Sequence, residues 1–206
     1  MFTDRREAGT LLVKKITSKD EGTIVVGLAR GGVVVASSFA LELSLPLDVL
    51  VVKKIPAPDQ QELGLGAVTP NGIIQVNWCL AHTRGVDEAY IKSVIGNQES
   101  VIRQKTLIYR KGKKPLVVRD KTVILVDDGA ATGATMEAAI KWCKAKKAKK
   151  IVAAIPVVSH EAADHIRPEV DELITLEEPE DFDAVGQFYR EFVQVSDEEV
   201  IELLNK

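Results

Sequence analysis

The stretch from Val123 to Thr135, reading VILVDDGAATGAT, constrains the fold of this 206-residue chain more than any other feature. Four apolar residues predict a short buried strand, and two carboxylates, Asp127 and Asp128, stand where that strand should end. A loop of small residues comes next, and an amphipathic helix is predicted over about residues 136–147. The sequence thus predicts a strand that opens through a glycine-containing turn into a helix, with an acidic pair at the turn.

This turn suits a ligand that carries a phosphate next to a diol. Backbone N–H groups at a helix N-terminus, together with its partial positive charge, favour an anion and above all a phosphate. The glycines allow the backbone to approach closely, and Thr132 and Thr135 supply hydroxyl donors. The adjacent carboxylates instead suit hydroxyl groups or a hard cation. A ribose 5-phosphate satisfies both halves of the motif.

The strand, the acidic pair and the GxxTGxT loop together resemble the fingerprint of the type I phosphoribosyltransferases, which bind 5-phosphoribosyl-1-pyrophosphate (PRPP). By this resemblance Asp127 and Asp128 hold the ribose 2′- and 3′-hydroxyls, act in catalysis and lie near Mg²⁺, directly or through water. A Walker A loop needs a lysine where this chain has Ala134, and a dinucleotide fingerprint needs GxGxxG, so neither fits. The resemblance implies that the small loop binds the 5-phosphate; its residues are Gly129, Ala130, Ala131, Thr132, Gly133, Ala134 and Thr135.

A second unit of strand, turn and helix precedes this motif. The apolar run Thr23–Leu28 predicts a buried parallel strand, and a helix is predicted over residues 33–43. Helix N-terminal N–H groups and a guanidinium favour an anion between them, and the resemblance implies a pyrophosphate loop with a cis Ala29–Arg30 bond. The alternative is a tight turn in which Arg30 is solvated. The turn consists of Ala29, Arg30, Gly31 and Gly32.

Two lysines and a long polar segment follow the next predicted strand, Leu47–Val52. Lys53 and Lys54 either contact pyrophosphate or form an exposed pair, and the sequence favours neither hypothesis. Residues 55–66 predict a polar loop, followed by a hairpin that turns at Pro70-Asn71-Gly72. The resemblance implies that a flexible segment of about residues 55–76 closes over PRPP during catalysis, with Glu62 as a catalytic candidate. A linker without a set structure is the alternative.

Alternating apolar strands and helices predict an α/β fold, with a doubly wound, mainly parallel sheet flanked by helices. Ligands of such sheets bind beyond the carboxyl ends of the strands, where both loops are expected. One domain is predicted over residues 1–206, with a core of about 20–158 and a small hood from about 159–206 together with the N-terminal helix. By the resemblance the hood covers the base, and Phe182 or Phe188 stacks on it. Core packing is the alternative for either ring.

The bulk composition argues against several classes of protein. With 27 basic and 30 acidic residues the formal net charge is −3, which disfavours a nucleic-acid partner. Cys79 and Cys143 show no metal-ligand spacing and indicate reduced thiols in a cytoplasmic protein. The N-terminus lacks an apolar signal segment, and no apolar run is long enough for a bilayer, so no membrane partner is expected.

The resemblance implies an enzyme, a pentosyltransferase that moves phosphoribose from PRPP to a nitrogenous base, with a purine-like base favoured, and releases pyrophosphate. It also implies Mg²⁺ as cofactor and a homodimer. In the 6-oxopurine enzymes an aspartate usually serves as acid and base where this chain has Ala131, so the proton-transfer group and the acceptor stay open. Two alternatives remain: a PRPP-binding regulator or pseudoenzyme without base turnover, and a phosphatase or receiver-like domain with Asp127 or Asp128 as nucleophile.

Overall fold

The structure, a computed structural model, describes residues 1–16, 20–60 and 63–206. Strands and helices alternate along most of the described chain, as predicted. The strands are β1 (Ile24–Leu28), β2 (Leu47–Leu50), β3 (Lys53–Pro56), β4 (Gly64–Val68), β5 (Ile74–Val76), β6 (Thr122–Val126), β7 (Lys150–Val157) and β8 (Glu172–Glu177). The α-helices are α1 (Arg5–Val13), α2 (Gly31–Leu43), α3 (Trp78–Thr83), α4 (Glu88–Tyr109), α5 (Ala134–Ala145), α6 (His160–Ile166) and α7 (Asp197–Leu204).

The central sheet has five parallel strands in the order β2-β1-β6-β7-β8. The chain winds outward from β1 to β2 on one side and from β6 to β8 on the other, so the winding reverses between β1 and β6. Gly27 pairs with Val126 across these two strands, which brings their carboxyl ends to the same level. This doubly wound parallel sheet confirms the predicted fold class, and its switch point is where a ligand is expected.

Both faces of the sheet are covered, and strand β6 shows why its sequence is continuously apolar. Val123 and Leu125 pack in the cluster that contains Met136 of α5, on one face of the sheet. Ile124 and Val126 pack on the other face, with residues of α1 and α2. Because successive side chains of a strand point to opposite faces, a strand buried on both sides has no place for a polar residue.

A second, three-stranded antiparallel sheet of order β3-β4-β5 spans the predicted polar loop and the predicted hairpin. The loop prediction was wrong at its two ends, residues 55–56 and 64–66, because Ile55 and Leu65 are fully buried in a second hydrophobic cluster and anchor β3 and β4. The predicted hairpin turn is present, with Asn71 and Gly72 both at a φ of 69°. Lys53 therefore begins β3 and does not end β2.

The remaining helices show how local capping places their ends. Asp4 caps α1 by accepting hydrogen bonds from the N–H groups of Arg6 and Glu7, each at 2.8 Å. Helix α4 runs unbroken past Gly96. Ser196 caps α7, because its Oγ accepts a hydrogen bond from the Glu199 N–H at 3.1 Å. No helix in the described ranges is both long and apolar enough to cross a bilayer.

The two ends of the chain meet beside the sheet. The rings of Phe2 and Tyr189 lie 5.3 Å apart, and the Phe2 N–H donates to the Phe188 carbonyl at 2.7 Å. Both aromatic residues belong to a small cluster that also includes Val157 at the end of β7. The N-terminal helix and residues 178–196, which we call the hood segment, are thereby held near the carboxyl edge of the sheet.

Candidate active site

The acidic pair lies directly after β6, at the switch point of the sheet. The Asp128 N–H donates a hydrogen bond to Asp127 Oδ1 at 2.9 Å. Burial, and then the charge of Asp128, raise the pKa of Asp127 well above its ordinary value. Asp127 is thus a carboxylate that hydroxyl donors or a cation would stabilise.

Asp128 has a different environment, because two residues from the chain ends, Arg5 and Tyr189, contact it. Arg5 Nε donates to Asp128 Oδ2 at 2.7 Å, and the two side chains are only 10% and 16% exposed. The Tyr189 hydroxyl donates to the Asp128 carbonyl oxygen at 2.5 Å. The Arg5 guanidinium lies 3.8 Å from the centre of the Phe192 ring, and its Nη1 donates to the Val193 carbonyl at 2.8 Å. The two acids are therefore not equivalent.

The predicted phosphate loop leads from the acidic pair into α5. Gly133 adopts a φ of 74° at the N-cap position, which favours glycine. The loop is tied to the end of β7: the Ala130 N–H donates to the Val157 carbonyl at 3.0 Å, and Ser159 Oγ donates to the Ala131 carbonyl at 2.6 Å. Ala131 and Thr132 are exposed at the turn, in front of the first N–H groups of α5.

The predicted pyrophosphate loop packs directly against the acidic pair. The predicted cis bond between Ala29 and Arg30 is present. A Cβ atom at Gly31 would lie 2.6 Å from Asp128 Cγ, and one at Gly32 would lie 2.8 Å from the Cα of Asp127. Only glycine fits at either position, and the structure brings the two loops into one site.

The two lysines point to different parts of this site. Burial, followed by the charges of Arg30 and Lys105, lowers the pKa of Lys53, which places Lys53 among cations next to the pyrophosphate loop. Lys54 lies on the other side of β3. A Cβ at Gly64 would be 3.7 Å from both Lys54 Cδ and Thr132 Oγ1, so Lys54 lies beside the phosphate loop. The sequence alone did not decide whether these lysines contact pyrophosphate or form an exposed pair.

The sequence also suggested functional roles for Glu62, Phe182 and Phe188. Glu62 lies outside the described residues, so its role stays a prediction. Phe182 and Phe188 contact each other, with ring centres 5.0 Å apart, and pack on the cluster around Phe2, as the core-packing alternative describes. Besides Tyr189, the hood residue Val185 contacts the acidic turn, since its Cγ2 would lie 2.9 Å from a Cβ at Gly129. No sequence pattern singled it out.

Comparison with known proteins decides the family. A profile of the phosphoribosyl transferase domain matches residues 5–192. The chain belongs to the phosphoribosyltransferase family. The match spans both loops, the acidic pair and most of the hood segment, and it confirms the family that the fingerprint in residues 123–135 had indicated.

Several members of this family are similar to the chain over all or nearly all of its length. Two Mycobacterium tuberculosis proteins that carry a provisional phosphoribosyl transferase name are 36% identical over 207 residues, which cover 100% of this chain and 47% of theirs. The chain thus spans about half the length of these curated relatives. The crystal structure of TT1426 from Thermus thermophilus is 38% identical with a TM-score of 0.80, covering 98% of this chain and 97% of that one.

Proposed function

We propose that this protein transfers phosphoribose from PRPP to a nitrogenous base and releases pyrophosphate, as a pentosyltransferase. The observation that carries the proposal is the contact between the loops, in which Gly31 packs on Asp128 and Gly32 packs on Asp127. A ligand that carries a diol between a phosphate and a diphosphate fits such an arrangement. Membership of the family supports use of PRPP.

Each part of the site has a distinct task in this proposal. The residues 129–135, at the N-terminus of α5, bind the 5-phosphate through backbone N–H groups and threonine hydroxyls, with Lys54 beside them. The residues 29–32 and Lys53 bind the pyrophosphate. Asp127 accepts hydrogen bonds from the ribose hydroxyls and stabilises the positive charge that develops at the anomeric carbon. The contribution of the chain is mainly positioning and electrostatics.

The donor groups of the site fit a Mg²⁺ ion that arrives with its substrate. Within residues 1–16, 20–60 and 63–206 there is no group of three or more His, Cys, Asp or Glu that could hold a metal ion. Mg²⁺ commonly binds through one or two carboxylates plus substrate phosphates and water, and the buried Asp127, whose carboxylate a cation would stabilise, matches that pattern. When bound, Mg²⁺ would neutralise charge on the departing pyrophosphate.

The acceptor is proposed to bind beside the contact between Val185 of the hood and Gly129 of the acidic turn. Val185 and Ala131 offer apolar surface, which suits a flat purine-like base. Ala131 has no group that accepts a proton, so solvent or Glu62 would accept the proton that the base loses. We further propose that Glu62 acts from the segment between β3 and β4 when it approaches the bound substrate.

The test is calorimetric titration of the protein with PRPP and Mg²⁺, followed by a panel of bases scored by pyrophosphate release. Micromolar binding should be lost in the Asp127→Asn/Asp128→Asn variant and kept in Asp120→Asn, an exposed aspartate before β6. Absence of PRPP binding would contradict the proposal. Binding without turnover of any base would instead support a PRPP-binding regulator. A stable aspartyl-phosphate would favour the receiver-like alternative.

A further inference from the structure

Side chains from α4 and from the proposed pyrophosphate loop converge on the carboxylate of Asp197, the first residue of α7. Lys105 of α4 forms an ion pair with Asp197 Oδ2. The hydroxyl of Tyr109, one turn further along α4, donates to Asp197 Oδ1 at 2.5 Å. Arg30 Nη1, from the proposed pyrophosphate loop, lies 3.8 Å from the same oxygen. The hydrogen bonds from Lys105 and then Tyr109 hold the pKa of Asp197 below its ordinary value, so at neutral pH it is an anion.

Positive charge exceeds negative charge around this carboxylate. Lys53 is the third cation of the cluster, and its pKa is lowered by burial and then by the charges of Arg30 and Lys105. The attraction of Asp197 acts in the opposite direction but is the smallest of these effects. Three cations thus lie around Asp197, and the exposed Glu198 adds a second negative charge near Tyr109. Positive charge is still in excess, so an anion of higher charge would balance the cluster better.

The cluster lies at the same end of the sheet as the pyrophosphate loop. Tyr109 packs in the hydrophobic cluster that contains Val34 of α2, Val51 at the end of β2 and Val200 of α7. Helix α7 packs against β2, and its first residue, Asp197, lies between Lys105 of α4 and the loop of residues 29–32. A carboxylate is the simplest side-chain mimic of a phosphate, since both accept several charge-assisted hydrogen bonds.

We propose that Lys105 and Tyr109 of α4 extend the pyrophosphate site, and that Asp197 occupies this extension until a diphosphate displaces it. The choice of diphosphate rests on the proposed function, while the anion site itself rests on the contacts of Asp197. When a diphosphate is bound, Lys105, Tyr109 and Arg30 contact its phosphate oxygens and no longer contact the Asp197 carboxylate. The Arg30–Asp197 separation is already beyond hydrogen-bond distance, and the Arg30 side chain is 36% exposed, so it can turn toward a ligand.

Displacement of Asp197 would couple the ligand to the C-terminal helix. Asp197 stands in the first turn of α7, and its ion pairs join α7 to α4 and to the pyrophosphate loop. When a diphosphate takes these partners, the first turn of α7 loses its anchor. The bound state should therefore show faster amide hydrogen exchange at residues 197–200, although most of the site becomes more protected.

The first experiment is calorimetric titration of the full chain with inorganic pyrophosphate, with and without Mg²⁺. Asp197→Asn keeps an oxygen for Tyr109 but removes the competing charge, so its affinity for pyrophosphate should rise about tenfold. Glu202→Gln removes the same charge from an exposed residue further along α7 and should stay within about twofold of the unchanged protein. Equal affinities for the two variants would overturn the proposal.

A second pair of variants separates binding from stability. Lys105→Met and Tyr109→Phe should each weaken pyrophosphate binding about tenfold, while Arg103→Met, at an exposed position of α4, should not. Thermal unfolding checks that each variant is folded. If the Lys105→Met or Tyr109→Phe variant is less stable but binds pyrophosphate with unchanged affinity, these residues only anchor α7 and the proposal is contradicted. The proposal would also be contradicted if saturating pyrophosphate left the rate of amide hydrogen exchange at residues 197–200 unchanged.

The two proposals can fail separately. If pyrophosphate behaves as expected but PRPP does not bind, the anion site stands and the proposed transferase function is wrong. If PRPP binds and is turned over while Asp197→Asn behaves like the unchanged protein, the function stands and the extension of the site is wrong.

Discussion

Arg5 and Asp128 form a buried ion pair, with Arg5 Nε 2.7 Å from Asp128 Oδ2, that joins the first helix to the acidic turn. The pair fixes the Asp128 carboxylate against the backbone of Gly31, on the pyrophosphate loop. It also makes the two acids different, because Arg5 is the counterion of Asp128 and does not pair with Asp127. A hydroxyl donor or a cation from a ligand should therefore stabilise the carboxylate of Asp127 more than that of Asp128.

Arg5→Met should destabilise the fold strongly. Removing one partner of a buried ion pair leaves an uncompensated charge, and the loss expected is about 3–5 kcal/mol in the free energy of unfolding. The matched control is Arg6→Met on the same helix, because Arg6 lies 3.9 Å from Glu199 in a pair that is 54% and 40% exposed. That exposed pair should contribute about 0–1 kcal/mol. Urea denaturation of both variants measures the difference.

The origin of the Arg5 effect can be tested with a second substitution. If the loss comes from the stranded carboxylate, Arg5→Met/Asp128→Asn should recover part of the stability that Arg5→Met loses. If the loss comes only from the contact of Arg5 with Phe192, the second substitution should bring no recovery. Equal stability of Arg5→Met and Arg6→Met would show that the ion pair is unimportant.

Asp127→Asn should stabilise the fold while abolishing PRPP binding. Burial and the charge of Asp128 raise the pKa of Asp127, so its charged form is unfavourable in the folded protein. Asparagine keeps the oxygen that accepts from the Asp128 N–H and removes the charge, and a gain of about 1–2 kcal/mol is expected. Asp120→Asn is the control and should change neither property.

The stabilisation by Asp127→Asn should depend on pH. A raised pKa means that the folded protein binds a proton more readily than the unfolded chain, so the unchanged protein loses stability as pH rises through the folded pKa of Asp127. The advantage of the variant should vanish near or below pH 3.8, the ordinary pKa of an aspartate, and be largest above the raised value. A constant difference across this range would contradict the assignment.

Gly31→Ala should disrupt the site, because its Cβ would lie 2.6 Å from Asp128 Cγ and the acidic turn would have to move. We expect PRPP affinity to fall by about tenfold or more, together with a loss of stability. Gly96→Ala is the matched control, since nothing lies within 4 Å of a Cβ there and the residue is inside α4. It should raise stability by about 0.5–1 kcal/mol and leave binding unchanged.

The sequence predicted those parts of the fold that depend on neighbours along the chain. The central strands and both glycine turns could be predicted because apolar runs and turn residues are local signals. The sheet of β3 and β4 was missed because its prolines and glutamines indicated a loop, whereas buried Ile55 and Leu65 decide its structure. Strands of four and five residues are also too short to show a clear alternating pattern.

The partners of the site residues could not be predicted because they are distant in sequence. Arg5 meets Asp128 across 123 positions, and Lys105 meets Asp197 across 92. Neither pair belongs to a motif of fixed spacing, and only the packing of the two chain ends against the sheet brings them together. The sequence therefore predicted the candidate site, and the fold was needed to show which charges surround it.

Lys53 and Lys54 should affect different ends of the substrate, because neighbouring residues of a strand point to opposite sides. Lys54→Gln should weaken binding of ribose 5-phosphate about tenfold and leave pyrophosphate within about twofold, since Lys54 lies beside Thr132. Lys53→Gln should do the reverse, since Lys53 lies in the cluster with Arg30. Each variant is the control for the other in calorimetric titrations with the two ligands, and weakening of the same ligand by both would contradict the assignment.

The lowered pKa of Lys53 adds a pH dependence that separates the two lysines further. Burial and the charges of Arg30 and Lys105 bring the pKa of Lys53 below the ordinary 10.5, so it loses its proton earlier than an exposed lysine when the pH rises. Only the protonated ammonium attracts phosphate, and a bound anion would favour that form. Pyrophosphate affinity should therefore fall as the pH rises through this lowered pKa, with uptake of a proton on binding in that range. The Lys53→Gln variant should lose both effects, and a pH profile that survives the substitution would assign the titration to another group.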